Sequence, residues 1–265
     1  MTTTIVVPAR YASSRYPGKP LVDLRGAGGV AKPLIQRSWD AAMAVRGVVA
    51  VVVATDDDRI ADTARAFGAD VVMTPESARN GTERCAAALQ ALGDADIIVN
   101  LQGDAPLTPP SFVEALIDRM IADPSIQVAT PAVRATPEIH RRLLTDQQAG
   151  QVGGTTVAIG AGGDGLYFSK SVIPHVAPDR VGDPSLPLFL HIGVYAYRRA
   201  ALEAYAALAP TPLELLEGLE QLRFVEHGVP VRVVEVETPG YDIWELNNPH
   251  DVAPIEAALA ARGIA

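Results

Sequence analysis

Residues 48–55 read VVAVVVAT, an uninterrupted apolar run dominated by β-branched side chains. A strand with one wet face alternates polar and apolar residues. A continuous run of this kind is covered on both faces, as in a parallel sheet between two layers of helix. The next stretch, DDDRIADTARAF, starts with acids and then carries helical spacing, which suits a helix N-terminus. The unit repeats along the first half. Residues 5–7, 69–74 and 95–104 read as further strands, and residues 33–45, 80–92 and 109–123 as further helices. Strands alternating with helices of this length predict βαβ units and a mainly parallel sheet flanked by helices, an α/β fold. Ligands of such sheets bind outside the carboxyl ends of the strands.

The second half is less regular. Residues 127–135, 151–160, 165–170, 188–199 and 230–237 read as strands, and 200–208, 212–228 and 248–263 as helices. Gly and Pro cluster at 150–165 and 174–187, where loops are expected. The expectation is one domain over 1–265 with a smaller β-rich lobe.

Charge and composition exclude several partners. The formal net charge is −9, which argues against nucleic acid or an anionic membrane as the main partner. No apolar run approaches the roughly 20 residues of a bilayer span, and no leader peptide is apparent. Cys85 is the single cysteine, so no intrachain disulfide forms and a cytoplasmic location is expected. Within GTERCAAALQAL it reads as a small buried residue rather than a nucleophile.

Against that acidity, residues 8–20, PARYASSRYPGKP, hold three cations and three prolines directly after the first strand. Arg10, Arg15 and Lys19 on a loop stiffened by Pro17 and Pro20 form a site for a polyphosphate. The loop is not a Walker A motif, because Lys19 is followed by Pro20. The plain alternative is a solvated basic turn. In VNLQGDAP, Asp104 stands just past a buried strand, where its carboxylate suits Mg²⁺, a hard ion that also binds substrate phosphates. Both segments lie at strand ends and can face one site.

PARYASSRYPGKPL, ATDDDRIADTA, NGTERCA, VNLQGDAP, LYFSK, HIGVYAYR and PLELLEGLEQLR together resemble, in order and approximate spacing, the motifs of the 3-deoxy-manno-octulosonate (Kdo) cytidylyltransferases, or CMP-Kdo synthetases. The resemblance spans nearly the whole chain. It implies a nucleotidyltransferase fold with a nucleotide-binding half over 1–135 and an acceptor-binding and dimerisation half over 136–265. It also implies CTP as donor, Mg²⁺ as cofactor, pyrophosphate release and a homodimer. Carried over by residue, it implies that Arg10, Arg15 and Lys19 grip the triphosphate, with Lys19 and Arg15 catalytic. Asp104 binds the metal. Ala9, Thr82, Arg84 and Gln102 help hold the nucleotide. Lys170, His191, Tyr195, Glu220 and Gln221, with Gln102, surround the acceptor. Outside the motif match, His191 and Tyr195 would read as core residues, and Glu220 and Gln221 as a wet helix face.

Four positions depart from the family pattern. Ala105 replaces a Glu, Lys170 an Arg, Leu190 an Arg, and Asn247 an Asp of the second metal position. Glu245, two residues before Asn247, can compensate on the same face. All four lie on the acceptor and metal side, so the expected acceptor is a small acidic phosphonate such as phosphonoformate, in phosphonate biosynthesis. CMP-Kdo synthesis is the alternative. A non-catalytic nucleotide-binding regulator is the alternative of another class.

Overall fold

The computed structural model of the chain describes residues 1–13, 15–238, 240–241 and 243–265. In chain order the elements are β1 (Thr3–Ala9), β2 (Asp23–Arg25), β3 (Ala31–Pro33), α1 (Leu34–Met43), β4 (Ala50–Thr55), α2 (Asp58–Ala66), β5 (Asp70–Met73) and α3 (Gly81–Ala88). They continue with β6 (Ile97–Leu101), α4 (Pro110–Ala122), β7 (Val128–Arg134), α5 (Pro137–Gln148), β8 (Thr155–Ile159), β9 (Gly165–Ser169), β10 (Phe189–His191) and β11 (Val194–Arg198). The chain closes with α6 (Arg199–Ala207), α7 (Pro212–Glu217), α8 (Leu222–Glu226), β12 (Val231–Val236) and α9 (Val252–Ala261).

Among the described residues ten strands share one sheet, in the order β5-β4-β1-β6-β11-β7-β10-β8-β9, with β12 on the free side of β7. The β5-β4-β1-β6 block is parallel throughout. Antiparallel β11 then joins β6 to the second half, where β12 restores a parallel pair with β7. The continuous apolar runs are buried on both faces, as their composition requires. Ile5, Val7 and Val53 pack into one core with Phe112 and Leu116 of α4. Val6, Val52 and Ile98 pack into the other with Cys85 of α3, Tyr195, Tyr197 and Phe224. Cys85 is buried and its thiol is pushed well up by burial, in keeping with an inert role.

The strands of the second half extend this large sheet, and the small separate sheet is the antiparallel β2–β3 pair. Three local readings change. Helix α5 was not expected, although Thr136 caps it by accepting from Ile139 N–H and Pro137 opens it. Residues 188–199 form two strands, interrupted where the Ile192 N–H turns to Pro131 O. Residues 212–228 form two short helices, because Gly218 takes a left-handed conformation (φ 62°) and ends α7. That break frees Glu220 and Gln221 from a helix face. No described helix is long and apolar enough to cross a membrane.

Candidate active site

β1, β4 and β6 run side by side in parallel, so the loops after β1 and β6 meet at one end of the sheet. There they enclose a cavity of about 210 Å³ lined by Ala9, Arg10, Arg15, Lys19, Gly81, Arg84, Gln102, Asp104 and Asn247, among others. Residues far apart in sequence are tied directly. Lys19 Nζ donates to Asp104 Oδ2 at 2.6 Å and to the Leu246 carbonyl at 2.9 Å. Arg15 Nη2 donates to Asn247 Oδ1 at 2.8 Å. Arg10 reaches the Arg79 carbonyl at 3.3 Å. The Leu246 N–H in turn donates to Asp104 O at 2.8 Å, which fixes 245–247 against the β6 loop.

The opposite wall is the start of α3. Asn80 caps it by accepting from the Glu83 N–H at 2.8 Å. A side chain at Gly81 would collide with Gln102 Nε2 and Asn100 Nδ2, at 2.7 and 2.9 Å from its Cβ. Only glycine lets the sheet's amides approach the helix this closely. Arg84 is 2 % exposed and is held by Asp56 at 2.9 Å and Thr74 at 2.6 Å. Thr82 shares a hydrogen bond with Tyr197 OH. Sequence reading missed Asp56, Thr74 and the Leu246 carbonyl. Asp56, an acid directly after the β-branched β4 run, carried a usable signal, whereas a backbone carbonyl carries none.

Glu220 links this wall to the second half. It accepts from the Thr82 N–H at 2.8 Å and from Gln102 Nε2 at 2.9 Å. Burial raises its carboxyl above the ordinary range. Tyr195 and Gln221 are both buried and bonded to one another, OH to Oε1 at 2.9 Å. His191 is buried against Thr130 at 2.8 Å and burial pulls it down to about 3, so it is neutral. These three do not line the cavity, and neither do Thr82, Glu220 or Lys170. Lys170 is exposed; its backbone N–H donates to Glu217 at 3.0 Å, and its ammonium lies over Gly218.

No described group of three or more His, Cys, Asp or Glu meets as a metal cage. The donors are instead the Asp104 carboxylate and the Asn247 amide oxygen, which line the cavity, and the Glu245 carboxylate, which accepts from Asn247 Nδ2 at 3.4 Å. Burial and the charge of Asp104 push Glu245 up to about 7. Two acids held together with their charges in conflict are a setting that a cation relieves. Mg²⁺ usually takes one or two carboxylates and completes its shell with water and substrate phosphates, so this donor set fits it.

A Cytidylyltransferase family model matches residues 4–235. The chain is 47 % identical over 264 residues to 3-deoxy-manno-octulosonate cytidylyltransferase of Maricaulis maris (strain MCS10), covering 99 % of each. It is 37 % identical over 265 residues to the mitochondrial enzyme of that name from Arabidopsis thaliana, covering 98 % of this chain and 83 % of that one. Among solved structures, CMP:2-keto-3-deoxy-manno-octonic acid synthetase complexed with CTP superposes with a TM-score of 0.84 at 35 % identity, covering 99 % of this chain and all of the other.

Proposed function

The chain belongs to the 3-deoxy-manno-octulosonate cytidylyltransferase family, and from that premise we propose that it transfers CMP from CTP to Kdo, releasing pyrophosphate. The observation that carries the reading is the convergence of Arg10, Arg15, Lys19 and Asp104 on one cavity at the carboxyl ends of parallel strands. It supplies concentrated positive charge beside an acid, on a protein that is acidic overall. Both the family and the relatives' names favour a cytidylyltransferase over a non-catalytic regulator.

In the proposed reaction an acceptor oxygen attacks the α-phosphorus of CTP in line. The new O–P bond forms as the bond to the β-phosphate's bridging oxygen breaks. The hydroxyl proton passes to solvent water and pyrophosphate leaves. Arg10, Arg15 and Lys19 bind the triphosphate, and Lys19 and Arg15 hold the charge that spreads over the α-phosphate. Ala9, Gly81, Thr82, Arg84 and Gln102 bound the nucleoside. Asp104, with Asn247 and Glu245, would hold Mg²⁺, which supplies further charge compensation when bound. Gln102 and Glu220 form the acceptor wall, backed by Tyr195, Gln221 and His191. Lys170 offers a cation at the rim.

Phosphonoformate, expected from the four departures, has no support among the relatives. The structure also gives three of those positions local roles. Ala105 is 2 % exposed. Leu190 packs on the main core and fills the space over Gly154. Asn247 accepts from Arg15. None of these roles requires a smaller acceptor. Pyrophosphate release with CTP and Mg²⁺ tests the reading: kcat/KM for Kdo exceeds that for phosphonoformate, and the reverse order returns the phosphonate reading. We further propose a homodimer, supported by Leu166, Leu215 and Leu216, exposed at 65, 69 and 82 % on β9 and α7. Sedimentation as a monomer at micromolar concentration would refute it.

A further inference from the structure

The motif ATDDDRIADTA contributes no residue to the cavity wall. Its fourth residue, Asp57, is a cap and its sixth, Arg59, is a cation that reaches from α2 to the loop after β1. Asp57 caps α2 by accepting from the Arg59 N–H at 3.0 Å. The same carboxylate takes the Arg59 side chain in a two-point grip, Nε to Oδ1 at 2.9 Å and Nη2 to Oδ2 at 2.6 Å. This fixes the plane of the guanidinium. Its central carbon lies 3.4 Å from the centroid of the Tyr11 ring.

Tyr11 is the joint of the loop. It directly follows Arg10, and its carbonyl accepts from the Gly18 N–H at 2.9 Å, one residue before Lys19. Gly18 lies against the ring so closely that a Cβ there would stand 3.0 Å from Tyr11 Cζ, and its φ of +73° is in the left-handed region. The ring is therefore touched by Gly18 from the loop and by Arg59 from α2. Holding the ring holds the spacing between Arg10 and Lys19. We propose that Arg59 is a positioning residue: its stack on Tyr11 orders the triphosphate loop before CTP arrives, so that less ordering remains to oppose binding. The proposal rests on the triphosphate lying along residues 10–19.

Two other roles are open to such a cation. It can add to the stability of α2 alone, or attract the nucleotide through its charge. The Arg59 side chain is 59 % exposed, so water and salt screen that charge at a distance. The stack does not depend on long range. Its strength at an exposed site corresponds to about a two- to fivefold change in affinity.

The test is steady-state kinetics of Arg59→Ala, Tyr11→Leu and the double variant, with apo melting temperatures alongside. The expected result is a KM for CTP raised about two- to fivefold in Arg59→Ala, with kcat and the acceptor KM unchanged. Tyr11→Leu, which keeps the cation, raises the same KM, and the double variant goes no further than Tyr11→Leu. An unchanged CTP KM in Arg59→Ala overturns the proposal, whatever its melting temperature. So does a rise in Arg59→Ala that Tyr11→Leu lacks, because charge alone is then responsible. Full additivity in the double variant overturns it too. Lys19→Ala separates this from the parent reading: if Lys19→Ala is crippled and Arg59→Ala is silent, only the bracing fails.

Discussion

Lys19 and Asp104 lie 2.6 Å apart, with side chains 14 and 24 % exposed. Each neutralises the other at the cavity. In the proposed reaction a triphosphate would compete for the ammonium and a divalent cation for the carboxylate. The Leu246 carbonyl, 2.9 Å from Lys19 Nζ, keeps the ammonium in place while its partner changes. Asp104→Asn removes the principal anionic ligand but leaves a side chain of the same shape. Turnover at saturating CTP should fall more than about a hundredfold, beyond the 10–100-fold usual for partners one step removed from a metal. A Mg²⁺ titration of activity that matches the wild type would reduce Asp104 to a turn residue. His191 works differently. Burial pulls its pKa down to about 3, so it stays neutral, bonded to Thr130 behind the cavity lining, and moves no proton near neutrality.

The α7–α8 corner shows how helices carry a site they do not line. Arg223 of α8 is 1 % exposed and grips Glu214 of α7 through Nε at 2.7 Å. It also reaches Glu83 of α3 at 2.9 Å. Those contacts lock the corner onto the helix whose first turn lines the cavity, and Glu220 sits within it. Arg223→Met keeps the length of the side chain but leaves the buried Glu214 carboxylate without its guanidinium and takes one of two arginine partners from Glu83. The expected loss of stability is about 3–5 kcal/mol, checked by urea unfolding. A loss below about 1 kcal/mol would mean that the network contributes little. This corner also explains why residues 212–228 read as a single helix. The apolar spacing runs on through Gly218, while the reason to break there is a set of contacts across sequence separations of 9 and 140 residues. Helix α5 was missed for the converse reason. It buries only His140 and Leu143, so its apolar face is too sparse to register, although its cap is plain.

In the whole molecule, the parallel block was readable because each strand is covered on both faces and each helix follows its strand. The Arg10–Lys19 loop and Asp104 were readable because charge and proline stand out after apolar runs. The strands of the second half were readable but their antiparallel pairing was not, since β10 reaches β7 and β8 through long connections whose register depends on contacts the residues do not announce. The phosphonate acceptor, which the relatives do not support, was inferred for a related reason. Ala105 and Leu190 were taken as lost sugar contacts, yet both are packed into the fold. What the sheet does achieve is to bring Arg10, Arg15, Lys19, Gly81, Arg84, Gln102, Asp104 and Asn247 around one cavity. Within it Lys19 is the cation braced between the first loop and the last. The most direct measurement is kcat for CTP-dependent pyrophosphate release by Lys19→Ala with Kdo as acceptor. Loss of one preorganised donor to developing charge lowers kcat by about 10²–10³-fold, with the melting temperature unchanged within a few degrees. A folded Lys19→Ala protein that turns over at close to the wild-type rate would contradict it.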